Sequence, residues 1–255
     1  MSKPSFTIKA LQLEDVPEVA QLSADAFETD RQTDMKALGQ KPFSMKEYAL
    51  QSLPGFMKHP RCVVLKAVDE ETGEIAGFCN WGFRGFSPDE MPVLEGRKQP
   101  PEISPPPPKK PAETDTPAAE NHTPLPSETE KDPIKRLVAL TDADLTKWQE
   151  EVMPEGTRCL FVVGLSVSPK FQGRGVGSAL LRWATKFCDE KEVFAWVHSS
   201  EPAWKMYEKC GFQVIRSLDV DLDDYAPCPP PNEGPDAKWG HYVFRYMKYF
   251  GSKPE

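Results

Sequence analysis

A glycine-rich turn in the second half of the chain has the composition of a phosphate-binding site. It consists of Gln172, Gly173, Arg174, Gly175, Val176, Gly177 and Ser178. The apolar run at 160–167 before it predicts a buried strand, and apolar residues at helical spacing after it predict a helix. Backbone N–H groups at a helix N-terminus bind phosphate because the helix offers them no acceptor and its dipole favours negative charge. We therefore expect this turn to hold a phosphate group.

The turn fits neither of two common nucleotide-binding motifs. A P-loop has Lys and then Ser or Thr after its last glycine, whereas Ser178 and Ala179 follow Gly177. A dinucleotide fingerprint needs a third glycine in place of Ser178 and an acidic residue after the next strand, where His198 and Ser199 stand. The pattern that remains is Gln-x-x-Gly-x-Gly.

A second motif, about thirty residues further on, supplies a candidate proton donor. Tyr207 is followed by Gly211 and Phe212, and Ser200 is a suitable N-cap for the short helix that they end. A phenol with a pKa near 10 is protonated at neutral pH and can act as a general acid. The alternative is a tyrosine packed with its hydroxyl on a structural partner.

These motifs resemble those of the GCN5-related N-acetyltransferases (GNAT). The third matching feature is Gly-Glu-Ile-Ala-Gly-Phe at 73–78, on a predicted β-hairpin, and the resemblance covers 5–85 loosely and 158–216 closely. It implies an α/β (α+β) fold in which a mixed, mostly antiparallel, twisted sheet is flanked by helices. It also implies splayed central strands, at 159–167 and 193–197, that hold acetyl-CoA. The activity implied is direct transfer of the acetyl group from acetyl-CoA to a primary amine.

The resemblance also assigns roles to individual residues. The backbone from Arg174 to Ser178 would hold the pyrophosphate of acetyl-CoA, with the Arg174 side chain adding charge, and a backbone N–H near Leu165 would polarise the carbonyl. Tyr207 would protonate the leaving thiolate. Ser200 stands where the family often has an asparagine, so its contact with the cofactor is in doubt. The expected cofactor-binding residues are Leu165, Ser166, Val167, Gln172, Gly173, Arg174, Gly175, Val176, Gly177, Ser178, Ser200 and Tyr207.

The general base and the acceptor site are less defined. The strand at 161–167 contains no carboxylate, and His198 has a suitable intrinsic pKa for a base, although a structural histidine is the alternative. The amine could equally lose its proton to water, or bind neutral and need no base. Asp219 and Asp221 lie on one face of a predicted strand and could bind a cationic acceptor, or could form a solvated edge.

The surrounding pattern provides the elements that must position these residues. It predicts strands at 6–11, 61–68, 74–83, 192–197, 213–222 and 241–247, and helices at 13–27, 45–53, 141–150 and 200–211. Residues 28–43 show no clear period. A proline-rich segment at about 88–133 is too poor in apolar residues to offset the entropy of ordering. We expect one acetyltransferase domain over 1–255, interrupted by this insertion. We expect the insertion to be disordered and to serve as a tether or as a docking site for a protein partner.

Composition limits the other partners. A net charge of −8 and a pI of about 5.2 argue against nucleic acid and anionic membrane, because binding phosphate surfaces needs a basic face. The six cysteines form no Cys-x-x-Cys pair, so a zinc site is not expected. No signal peptide and no membrane-spanning apolar run is visible, and we expect a reducing, cytoplasmic location.

Three functions remain open at this point. A small-molecule amine acetyltransferase is the main prediction, and a protein acetyltransferase acting on lysine or an N-terminus is the second. The third is a CoA-binding module without catalysis. A pocket closed by the loop at 227–240 would favour a small amine, and an open groove would favour a protein.

Overall fold

The computed structural model describes residues 5–92, 94 and 131–251. Its framework is a seven-stranded sheet with the order β1-β2-β3-β4-β5-β7-β6. The strands are β1 (Phe6–Ala10), β2 (Cys62–Asp69), β3 (Ile75–Arg84), β4 (Cys159–Val167), β5 (Phe194–Ser199), β6 (Gln213–Asp221) and β7 (His241–Tyr249). The mixed α/β architecture expected from the sequence is confirmed.

Among the described strands, one neighbouring pair is parallel. β4 pairs with β5 in parallel over Cys159–Phe161 and 194–196, whereas every other neighbouring pair is antiparallel. Beyond Phe161 no residue of β4 pairs with β5, although β4 continues to Val167. The two central strands therefore separate and leave an opening at the middle of the sheet.

Helices cover both faces of the sheet. They are α1 (Val16–Ala26), α2 (Arg31–Ala37), α3 (Met45–Lys58), α4 (Pro133–Val152), α5 (Val176–Lys191) and α6 (Trp204–Lys209). The apolar stripe of α5 packs on one face, against Trp81, Phe83 and Leu160. On the other face α1 and α3 cover Phe78, and α4 covers Phe161 and other aromatic residues of the central strands.

Several element bounds differ from the sequence prediction. The helix predicted to stop at Pro54 continues to Lys58, because Leu53 is buried beneath α1 and tertiary packing offsets the lost N–H. α2 was missed because its seven residues show no apolar period. It begins at the N-cap Asp30, which accepts a hydrogen bond from the Thr33 N–H. α4 begins eight residues earlier than predicted, at Pro133, with Asp132 as its N-cap.

The proline-rich segment lies mostly outside the described residues. At its edges, Pro88–Glu90 forms one 3-10 turn and Met91 is buried, so packed structure extends past residue 88. Within the described residues, no helix is long and apolar enough to cross a membrane.

Candidate functional site

The glycine turn lies at the N-terminus of α5 and leaves its backbone uncovered. Gly173 and Gly175 adopt φ values of +74° and +90°, which residues other than glycine rarely adopt. A Cβ atom added at either position would meet no atom within 4 Å. The first hydrogen bond of the helix runs from the Ala179 N–H to the Gly175 carbonyl, at 2.9 Å. The N–H groups that precede it, from Val176 to Ser178, have no acceptor within the helix. Residues 172–175 are exposed, whereas Val176 and Gly177 are buried. The Arg174 N–H donates to the Phe171 carbonyl at 3.3 Å, so it is not available to a ligand as the sequence suggested. The N–H groups from Gly175 to Ser178, next to the helix dipole, fit a pyrophosphate, which is the group that acetyl-CoA would place there.

Two side chains fix the turn. The Gln172 amide donates to the Val167 carbonyl at 3.2 Å, so it joins the turn to the end of β4. The Arg174 guanidinium lies over the ring of Phe171, 5.5 Å from its centroid, and remains exposed at the rim. Arg174 is therefore placed where its charge can act on a ligand of the turn.

A β-bulge marks the point where β4 leaves β5. On the β3 side Asn80 pairs with Gly164 and Trp81 pairs with Val162, so Val163 is an extra residue on β4. Leu165, Ser166 and Val167 follow this bulge and continue to pair with β3. Their other edge faces the opening, where main-chain groups can meet a bound ligand.

Tyr207 lies on α6, close to this part of β4. Its side chain is buried against Phe212, with the ring centroids 5.6 Å apart, and its hydroxyl has no hydrogen-bond partner among the described residues. Burial raises the pKa of Tyr207 well above its usual range, and the thiols of Cys79 and Cys210 add to the effect. Cys79 is the cross-strand partner of Leu165, so the hydroxyl and the predicted carbonyl site are brought to the same region.

Ser200 is not the N-cap of α6. A turn occupies 201–203 and the helix begins at Trp204 with Ala203 as its N-cap. The Ser200 carbonyl instead accepts from the Ala203 N–H at 3.2 Å and from the Ser199 hydroxyl at 2.9 Å. Ser200 therefore lies between the end of β5 and this turn, near the hydroxyl of Tyr242.

His198 lies between two aromatic rings at the end of β5. Its ring stacks on Tyr246 at 4.7 Å and contacts Phe244 at 4.9 Å. Burial lowers the pKa of His198 to about 4, an effect that Asp144 opposes and that Lys36 and Arg216 reinforce. The imidazole is therefore neutral at pH 7 and a weak base.

The predicted substrate carboxylates lie away from this site. Asp219 and Asp221 are on β6, the edge strand, and β7 and β5 stand between them and β4. The Asp219 carboxylate meets His241 Nδ1 at 2.9 Å and raises the pKa of that imidazole. Their neighbours Leu218 and Val220 pack on the α2 and α4 side, so the two carboxylates project from the opposite face.

The structure adds polar residues on the α2 side that the sequence did not single out. Asp30 is buried and accepts from the Tyr242 hydroxyl at 2.7 Å as well as from the Thr33 N–H at 2.9 Å. Burial lowers the pKa of Lys36, against the influence of Asp142 and Asp30. The sequence feature that could have predicted α2 is Asp30, a suitable N-cap residue. An N-cap residue alone is weak evidence for a helix when no apolar stripe follows it.

Comparisons with known proteins agree with this geometry. Residues 111–212 match the family model described as "Acetyltransferase (GNAT) family". No curated protein sequence matches the chain. The matched segment contains α4, β4, α5, β5 and α6, which together carry the glycine turn and Tyr207.

Solved structures of low sequence identity share the fold. A mosquito protein, "arylalkylamine N-Acetyltransferase like 5b", has a TM-score of 0.51 and 14% identity over 96% of this chain and 99% of its own. The Drosophila melanogaster "Polyamine N acetyltransferase" has a TM-score of 0.51 and 15% sequence identity, over 96% of this chain and 99% of its own. A Corynebacterium glutamicum "histone acetyltransferase HPA2 and related acetyltransferase" has a TM-score of 0.51 and 14% sequence identity, over 98% of each chain. At this identity they show a common fold and leave the acceptor open.

Proposed function

We propose that the chain is an acyltransferase that transfers the acetyl group of acetyl-CoA directly to a primary amine of a small molecule, a proposal supported by the match of residues 111–212 to the GNAT acetyltransferase family model. The observation that carries the proposal is the opening between β4 and β5 beside the uncovered N-terminus of α5. It provides an anion site and an exposed strand edge next to each other, which a phosphate-bearing thioester needs.

Each part of the site has one task in the proposed reaction. Acetyl-CoA, when bound, supplies an activated acetyl thioester. The N–H groups from Gly175 to Ser178 hold the pyrophosphate, and the edge of β4 from Leu165 to Val167 aligns the pantetheine arm. A backbone N–H near Leu165 donates to the carbonyl oxygen, which becomes more negative as the amine attacks. The Tyr207 hydroxyl donates to the departing sulfur.

The raised pKa of Tyr207 shapes its proposed part. A thiol has a pKa of about 8.5, so complete proton transfer from a phenol with a pKa above 10 is uphill. The hydroxyl therefore stabilises the thiolate chiefly by a hydrogen bond, and the thiolate takes its proton as it leaves. The absence of another hydrogen-bond partner among the described residues keeps this donor available.

A small acceptor is favoured by the way that the β6–β7 loop is tied down. Arg31 of α2 makes a bidentate pair with Glu233, both distances being 2.9 Å, and its guanidinium also donates to the carbonyls of Lys238 and Trp239 at 3.3 Å. Trp239 is buried beneath the loop and donates to the Cys228 carbonyl. The loop and α2 thus hold each other, which supports a closed acceptor side and not an open groove for a polypeptide.

The test is CoA release with a panel of acceptors. Agmatine, spermidine, 2-phenylethylamine and tyramine represent small amines, and lysine-bearing and free-N-terminal peptides represent proteins. We expect turnover of at least one small amine, with kcat/KM at least tenfold above that of any peptide. Turnover of peptides alone would favour the protein acetyltransferase. Acetyl-CoA binding without turnover of either class would favour a module without catalysis.

A further inference from the structure

Asn80 is a buried polar residue whose side chain has no hydrogen-bond partner in the described part of the fold. It lies in the middle of β3 and is 2% exposed, and its Oδ1 atom is buried without a hydrogen-bond partner. None of the described residues forms a hydrogen bond with its amide. Burying an amide without a partner destabilises a fold. An asparagine in such a place is best explained by a ligand that it contacts.

The amide projects from the face of the sheet opposite α5. Phe78, two residues before Asn80, packs in the apolar cluster of α1 and α3. Two residues after it, a Cβ on Gly82 would lie 2.2 Å from the Phe161 ring, in the cluster covered by α4. Because side chains two apart on a strand share a face, Asn80 projects between these two clusters.

Open space adjoins the amide. Gly164 of β4 is the cross-strand partner of Asn80, and cross-strand partners project from the same face. A Cβ on Gly164 would meet no atom within 4 Å, although the strand lies in the middle of the sheet. The space therefore lies beside Asn80, one residue before Leu165, at the mouth of the opening between β4 and β5.

A second polar atom without a partner lies across the opening. His198 is two residues after Trp196 on β5, and Trp196 packs with Phe161 in the α4 cluster, so both side chains use this face. Its Nε2 atom is buried and has no hydrogen-bond partner among the described residues. Asn80 Oδ1 on β3 and His198 Nε2 on β5 thus lie on the same face of the sheet, on either side of β4, whose Gly164 has no side chain between them.

We propose that Asn80 and His198 bind the nitrogen of the acceptor amine, an assignment that rests on the acetyl transfer proposed above. A neutral primary amine has two N–H donors and one lone pair. The amide oxygen and the ring nitrogen each accept one N–H, which directs the lone pair at the thioester carbon near Leu165. The C–N bond forms from that lone pair, the C–S bond breaks with its electrons on sulfur, the nitrogen releases its surplus proton to solvent, and the thiolate takes one up.

The chemistry selects a class of acceptor. A primary amine offers both N–H groups, whereas an N,N-dimethyl amine offers none in its neutral form. The aromatic walls that Phe244 and Tyr246 form around His198 favour an acceptor whose carbon skeleton is apolar next to the nitrogen. We therefore expect 2-phenylethylamine to be a better acceptor than agmatine.

The test is Asn80→Leu, which keeps the size of the side chain and removes its polar group. If Asn80 serves a ligand, the free variant melts a few degrees above wild type, because an unpaired buried amide is gone. Its stabilisation by acetyl-CoA stays unchanged, and kcat/KM for 2-phenylethylamine, or for the best amine of the panel, falls at least tenfold, mainly through KM. The matched control is Ser23→Ala, which removes a buried hydroxyl that does have a partner, the Val19 carbonyl at 2.9 Å, and should leave kcat/KM unchanged.

Two results would overturn the assignment. A melting temperature several degrees below wild type would show that the amide stabilises the fold, and an unchanged kcat/KM would show that the acceptor does not meet it. If wild type acetylates no amine of the panel, the proposed function fails, and the melting temperature of Asn80→Leu still decides whether the amide serves the fold or a ligand.

Discussion

Tyr207 has the features of a proton donor whose contribution appears only when a thiolate forms. Its ring is packed against Phe212, whereas its hydroxyl has no hydrogen-bond partner among the described residues. The hydroxyl therefore adds little to the fold and can act on a ligand. The sequence predicted the role from a motif, and the structure adds the burial that keeps the phenol protonated.

We expect Tyr207→Phe to lower kcat by about 10²-fold, within the range typical for the loss of a positioned acid. The free energy of unfolding should change by less than about 1 kcal/mol, since no bond to a described residue is lost. Steady-state kinetics with the best amine and urea denaturation measure the two effects. Unchanged kcat would remove Tyr207 from the reaction.

His198 should make the fold sensitive to acid. Its pKa is about 4 in the folded chain and near 6.5 in the unfolded chain, because burial disfavours the charged ring. The unfolded state therefore binds the extra proton first as the pH falls. Stability is complete above pH 6.5 and is lost progressively towards pH 4, by up to about 3 kcal/mol.

His198→Phe keeps the aromatic stack and removes this titration. We expect the loss of unfolding free energy between pH 7 and pH 4.5 to be about 2 kcal/mol smaller in the variant than in wild type. Urea denaturation at both pH values measures the difference, and other titrating groups cancel because the two chains share them. An equal loss in both chains would contradict a buried, neutral His198.

The elements around the site show which features a sequence can predict. The glycine turn was predictable because its residue types are required by its backbone: Gly173 and Gly175 both have positive φ. α2 was not predictable, because its position depends on long-range contacts such as the pair between Arg31 and Glu233. The role proposed for Asn80 could not be predicted from the sequence, since the residue lies within an apolar strand and only the structure shows that its amide lacks a hydrogen-bond partner among the described residues.

Replacing two glycines by alanine should change the stability of the fold in opposite directions. Gly82 of β3 has no room for a methyl group, because its Cβ would lie 2.2 Å from the Phe161 ring, itself stacked on Trp196 at 5.4 Å. Gly55 lies inside α3 and its Cβ would meet no atom within 4 Å. Gly82→Ala should destabilise the fold by roughly 1–3 kcal/mol, and Gly55→Ala should stabilise it by about 0.5–1 kcal/mol. Chemical denaturation of both variants checks the pair, and equal effects would contradict the packing of β3 on β4.

At the scale of the whole molecule, one domain interrupted by a proline-rich insertion stays a prediction. The described parts on either side, 5–92 and 131–251, contribute strands to one sheet. We expect replacement of 95–130 by a twelve-residue Gly-Ser linker to change the unfolding free energy by about 1 kcal/mol or less, since closure entropy depends weakly on loop length. Acetyl-CoA binding should be unchanged, as calorimetry can show. A loss of several kcal/mol would mean that the segment is part of the packed domain.

The central claim is that the N-terminus of α5 binds the pyrophosphate of acetyl-CoA, and Ser178 allows a direct test. Ser178→Glu places a carboxylate in the first turn, where the helix dipole favours it, so the fold should be at least as stable as wild type. The same carboxylate would repel a phosphate, whereas Ser178→Gln has the same size and no charge.

The measurement is the thermal stabilisation of wild type and both variants by acetyl-CoA. At 100 times the dissociation constant the ligand should add about 2.7 kcal/mol to wild type. Ser178→Gln should keep most of this stabilisation, and Ser178→Glu should lose it while remaining folded. Equal stabilisation of all three proteins would place the cofactor elsewhere, and no stabilisation of wild type at millimolar acetyl-CoA would contradict the proposed function itself.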